Sequence, residues 1–128
     1  MSLLPESAVY EAIGEAGFTR LVAAFYRRVQ SDDILAPMYP ADDFPGAEQR
    51  LRAFLIYRFG GPADYLSQRG HPALRMRHAP FAVTPAARDR WMDLMSQALD
   101  EAELPEETAQ TIRRFLDGVA TFLINRPG

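Results

Sequence analysis

The stretch PADYLSQRGHPALRMRHAPFAV, residues 62–83, interrupts a chain that otherwise reads as helix. Pro62, Gly70, Pro72 and Pro80 allow only short helical pieces there, because proline lacks a backbone donor and clashes with the preceding turn. The same stretch holds both histidines of the sequence, His71 and His78. A compact domain rarely keeps so long an irregular segment without a use for it.

Helical periodicity dominates on either side of the stretch, and strand-like alternation is scarce. Pro5 opens a first short helix that Gly14 closes. A second helix runs from about Phe18 to Gln30. Its Phe18, Leu21, Val22, Phe25 and Val29 fall on one face, and Tyr26 joins that face one turn after Val22. Ser31 is placed to cap a short turn through Asp32–Leu35. Pro37 and Pro40 force irregular backbone around Met38 and Tyr39. A third helix starts at Pro45 and reaches about Phe59, with Ala47, Leu51, Phe54 and Leu55 inward, until Gly60-Gly61-Pro62 stops it. Beyond the irregular stretch, Thr84-Pro85 is a helix start. The helix after it carries Trp91, Leu94, Met95, Ala98 and Leu99 on one face. A last helix begins near Pro105, where Glu106 and Glu107 suit its positive end. Its inward stripe is Ile112, Phe115, Leu116, Val119, Phe122 and Leu123. The expected fold class is all-α, as a single domain over residues 1–128.

Composition narrows the function. At 128 residues and 48% hydrophobic content the chain can bury a core and a small ligand as well. It has no cysteine, which removes disulfides, zinc–thiolate sites and iron–sulfur clusters. The net charge of −3 argues against a nucleic-acid binder. The first residues lack the basic and apolar regions of a signal peptide. No apolar run approaches the roughly 20 residues of an integral membrane segment. The expected location is cytoplasmic.

Several chemistries fail on residue grounds. None of the serines sits in a strand–turn–helix elbow. Gly60-Gly61 is not followed by the Lys-Ser or Lys-Thr of a phosphate loop. His71 and His78 lie seven apart across Pro72, with no carboxylate between them, which is poor material for a protein-only metal site. One histidine is enough for haem, whose iron takes a single axial imidazole from the protein. The rest of such a site is apolar wall with a few polar groups. The sequence offers that inventory, with Tyr and Trp on inward faces where plain hydrophobes would serve. On its own, His78 reads better as a surface or packed histidine in a turn.

Six segments carry a resemblance: AFYRRV (24–29), MYPADD (38–43), GAEQRL (46–51), GGPADY (60–65), QRGHPALRMRHAPF (68–81) and RDRWMDLM (88–95). In this order and spacing the chain resembles the truncated haemoglobins of group II, over roughly residues 8–124. The resemblance implies a two-over-two helical sandwich around haem b, in which the proximal helix is a short piece after a loop. It implies His78 as the iron ligand and Tyr26, Tyr39 and Trp91 as distal groups that stabilise the ligand. Ala47 falls where many globins carry a distal histidine, and Leu51 is a distal wall residue one turn on. Phe25 and Phe54 match wall residues, and Phe81 a haem edge. Arg50, Tyr65 and Arg77 match partners of the haem propionates.

The implied function is a five-coordinate haem protein that binds dioxygen, or another diatomic ligand, and releases it slowly. The outer atom of bound dioxygen carries partial negative charge, and hydrogen bonds to charged acceptors are worth about 1.5–3 kcal/mol each. A haem redox enzyme acting on nitric oxide or peroxide is the alternative, served by a separate reductase. Efficient peroxide chemistry would want a distal general base, which Ala47 does not supply. A haem-free helical interaction module is the reading outside both. Monomer and homodimer are equally compatible with the sequence.

Overall fold

The computed structural model describes residues 4–39, 42–62 and 83–126. Four α-helices form the framework: α1 Val9–Val29, α2 Phe44–Arg58, α3 Pro85–Glu101 and α4 Glu106–Phe122. Two 3-10 turns, Glu6–Ala8 and Ala36–Met38, precede α1 and α2. No strand occurs among the described residues. Helix α1 packs against both α2 and α3, and α3 packs against α4. The pair α1–α2 is thus joined to the pair α3–α4 chiefly through α1 and α3. The core between them includes Phe18, Leu21, Val22, Phe25, Val29, Leu55, Phe59, Met95, Leu99 and Ile112, all within 1% of full burial.

Helix α1 unites the two N-terminal helices expected from the sequence, with a break at Gly14. Its backbone there, φ 65° and ψ −179°, lies in a region essentially reserved for glycine. A Cβ added at Gly14 would meet nothing within 4 Å, so the requirement comes from the backbone alone. Gly60, after α2, has φ 98°, and a Cβ there would come within 2.2 Å of the Ser7 carbonyl oxygen. The end of α2 therefore lies directly on the start of α1. Tyr10 N–H donating to the Phe59 carbonyl at 2.9 Å fastens the same junction. Glu6 pairs with Arg58 at 2.6 Å, and the Thr111 hydroxyl of α4 donates to the Leu4 carbonyl at 2.6 Å.

Two local expectations change. Asp32, not Ser31, caps the turn after α1. Its Oδ2 accepts from the Ile34 and Leu35 N–H groups at 3.1 and 2.9 Å, while the Ser31 hydroxyl donates backwards to the Arg28 carbonyl. A carboxylate two and three residues before the waiting N–H groups reaches both of them and takes the place of the hydroxyl. Phe122 is 59% exposed, not inward. At 3.6 residues per turn it lies about 80° round α4 from Ile112, at the edge of the buried stripe and on the last helical residue. Thr84 does cap α3, accepting from Ala87 N–H at 3.0 Å. Val83 is clasped by the segment after α4: its N–H donates to Asn125 Oδ1 at 2.9 Å, and its carbonyl accepts from Asn125 N–H at 2.9 Å.

Candidate functional site

Successive residues of α1, Phe25 and Tyr26, begin the site. Both are buried, and one step of helix turns their rings toward different neighbours. Phe25 meets Trp91 of α3, with ring centres 4.9 Å apart and planes at 60°. Tyr26 meets Tyr39 edge-on at 5.5 Å and 84°. Tyr39 follows the 3-10 turn in extended backbone and touches Phe44, the first residue of α2, at 5.9 Å. The run Trp91–Phe25–Tyr26–Tyr39–Phe44 therefore joins α3, α1 and the start of α2.

The polar atoms of this run are turned toward one another. Burial pushes the Tyr26 hydroxyl far above the usual phenol range. The neighbouring Tyr39 and a hydrogen bond to it add to that shift, Arg50 opposes it and Glu48 assists. Burial also raises Tyr39, against hydrogen bonds from Tyr26 and Trp91 that favour its anion. A phenol O–H can donate or accept, and an indole nitrogen can only donate. Both phenols remain neutral through the physiological range. They can supply hydrogen bonds but not a general base.

Ala47 and Phe54 are buried on α2, and Leu51, between them on the same face, is half-buried against the core. Arg50 lies near enough to Tyr26 to act on its charge, and its Nη1 meets Asp43 Oδ2 at 3.3 Å with both side chains partly exposed. At the far end of α2 a second aromatic group forms. Phe115 lies 6.5 Å from Phe54 and 5.3 Å from Phe59, with the Arg58 guanidinium 4.4 Å above its ring. His71, His78, Tyr65, Arg77 and Phe81 lie outside the described residues. Among the described residues no three His, Cys, Asp or Glu side chains gather as a metal site.

The structure brings together Phe25, Tyr26, Tyr39 and Trp91, and it adds Phe44, which sequence reasoning did not select. Phe44 stands just before the helix-opening Pro45 and off any periodic stripe, so no local pattern marks it. Phe115 was on an expected inward stripe, but its contact with the α2 face is visible only in three dimensions.

The sequence matches the bacterial-like globin family over residues 8–125. It is 38% identical over 120 residues to the group 2 truncated hemoglobin YjbI of Bacillus subtilis, covering 94% of this chain and 90% of that protein. The crystal structure of a thermostable hemoglobin from Thermobifida fusca superposes with a TM-score of 0.90 at 45% identity, over 94% of this chain and 98% of the other. A truncated oxygen-avid haemoglobin from Bacillus subtilis superposes with a TM-score of 0.88 at 37% identity, over 91% and 98%. The chain belongs to the bacterial-like globin family, as a truncated haemoglobin of group II with the globin fold.

The family implies haem, and the chemistry of the described residues fits it. Neutral phenols and an indole N–H are hydrogen-bond donors rather than iron ligands. Leu51, Trp91 and Phe115 are large, partly exposed hydrophobics packed on the core, the material of an apolar wall. Among the described residues no helix is long and apolar enough to cross a membrane.

Proposed function

We propose that this chain is a haem b protein that binds dioxygen, or another diatomic ligand, with slow release, using His78 as the iron ligand and Tyr26, Tyr39 and Trp91 as the distal polar groups. Haem, held by His78, would supply an iron able to bind a diatomic molecule. The chain supplies the surroundings. Phe25, Leu51 and Phe54 form apolar wall, Ala47 leaves room beside it, and Tyr65, Phe81, Arg77 and Arg50 serve the haem edge and its propionates.

One observation supports this assignment: Tyr26 and Tyr39 meet edge-on at 5.5 Å, and Phe25, beside Tyr26, meets Trp91 at 4.9 Å, so that two phenols and an indole gather in one cluster. Their neutral O–H and N–H groups are donors for the partial negative charge of a bound ligand. The oxygen avidity named for the similar Bacillus subtilis structure supports slow release here. The raised phenols and Ala47 provide no base near the ligand, so strong peroxide turnover is not expected.

The test uses protein expressed with haem available. His78→Ala is expected to lose stable haem binding; an unchanged haem spectrum and coordination state would refute the ligand assignment. Trp91→Phe is expected to speed dioxygen dissociation by about one to two decades, since a bond to a charged acceptor is worth about 1.5–3 kcal/mol. A wild-type protein without a Soret band would sink the haem assignment altogether.

A further inference from the structure

We propose that Arg58 is a positioning residue for the apolar wall of the haem site: held by Glu6, its guanidinium fixes the Phe115 ring across Phe54. The proposal rests on the haem reading, in which Phe54 is wall.

Phe54 and Arg58 stand four residues apart on α2 and so lie on one face of it. Phe115 of α4 packs across both. Its ring centre is 6.5 Å from that of Phe54, with the planes at 34°, and 4.4 Å from the Arg58 Cζ. Phe59 adds a third contact, edge-on at 5.3 Å and 79°. Phe59 is fully buried, whereas Phe115 is only partly so. Arg58 is itself held, its Nη2 lying 2.6 Å from Glu6 Oε1. The segment that carries Glu6 also grips α4 one turn before Phe115, where the Thr111 hydroxyl donates to the Leu4 carbonyl at 2.6 Å. The path closes on itself: Leu4, Thr111, Phe115, Arg58, Glu6.

Aromatic pairs attract at ring separations of about 4.5–7 Å, so the Phe54–Phe115 contact at 6.5 Å is near its outer limit. One edge contact and one distant ring leave the tilt of Phe115 underdetermined. A cation above the ring settles it, because the attraction acts on the negative face and not on the edge. The carboxylate of Glu6 keeps the guanidinium in place over that face. The Arg58 and Glu6 side chains are 38% and 41% exposed, so solvent takes most of the value of their charges to stability. The effect of the pair therefore falls on where Phe115 sits and not on whether the chain folds.

The experiment compares haem-loaded wild type, Arg58→Gln, Glu6→Gln, Phe115→Leu and the Arg58→Gln/Phe115→Leu double variant. It follows haem loss to an excess of a haem-scavenging apoglobin. It also records proton NMR of the cyanide-ligated ferric form, whose haem methyl signals give the ratio of the two orientations that haem can take in an asymmetric wall. Arg58→Gln keeps a hydrogen-bonding partner for Glu6 but loses the cation. It is expected to speed haem loss about threefold to tenfold, equivalent to about 0.7–1.4 kcal/mol, and to shift the orientation ratio. Glu6→Gln should move both readouts in the same direction by less. Helical circular dichroism should match wild type in both. In the Phe115→Leu background, Arg58→Gln should add nothing. An equal factor in both backgrounds, an unchanged rate and ratio, or Glu6→Gln behaving like wild type overturns the proposal. Faster haem loss with the orientation ratio unchanged also overturns it, since a mere structural tie would do the same. A wild type that takes up no haem defeats the haem reading and this proposal with it; a wild type that holds haem but is indifferent to Arg58 defeats the Arg58 proposal alone.

Discussion

Tyr26 and Tyr39 place two phenols in contact inside an aromatic cluster, and burial makes ionising either one unfavourable. The consequence for stability has a definite sign. Unfolded tyrosines ionise near pH 10. Below that pH both states hold their protons, and the contribution of the raised folded value is fully present. Above it the unfolded chain releases protons that the folded chain keeps, so stability falls as pH rises. Denaturant melts at several alkaline pH values should show a fall that is less steep in Tyr26→Phe than in wild type. Equal slopes would mean that Tyr26 titrates freely. At this scale the sequence was informative about types and faces. Tyr26, Tyr39 and Trp91 stand out because each carries a polar atom where volume alone would favour Phe or Leu. It was silent about pairing. Nothing local links Arg90 to Asp32 across 58 positions, because such pairs are made by tertiary packing.

Helix α1 shows what a single backbone position decides for an element. The sequence reads an interruption at Gly14, and there the chain turns within one element through a conformation that side chains resist. Gly14→Ala is expected to destabilise the fold by about 1–3 kcal/mol although a methyl group would meet no neighbour, because the cost is conformational. Thermal melting tests this, and an unchanged or raised midpoint would show that the break is dispensable. Helix boundaries were legible wherever punctuation was strong: Pro45 and Thr84-Pro85 at starts, Gly60 at an end. They were misread where two candidates competed for one task, as with Ser31 and Asp32. The edge of a stripe was equally ambiguous. Phe122 is apolar and periodic, but the helix ends under it before the core does.

For the whole molecule, the framework is tied at places remote from the aromatic cluster. The N-terminal turn is bonded to α2 through Glu6 and Arg58 and to α4 through Leu4 and Thr111. The segment after α4 returns to clasp Val83, at the entry to α3. Asn125→Ala removes the side-chain half of that clasp and leaves Val83 N–H without its acceptor. A loss of about 1–3 kcal/mol is expected, the cost of an unsatisfied buried donor, and urea melts would measure it. A smaller loss would mean that solvent replaces the bond. The class of fold was legible because helical periodicity and the order of six short segments both survive in one dimension. These long-range ties were not, since none of them has a spacing rule.

The two fastenings at Gly60 and Val83 also bear on how this chain tolerates change. Gly60 is seated on the Ser7 carbonyl, and Val83 is gripped by Asn125, so the exits toward the stretch that holds His78 belong to the rigid framework. A side chain at position 60 would collide with the Ser7 carbonyl, and the backbone there stands at φ 98°, so descendants of this protein are held to glycine at that gatepost.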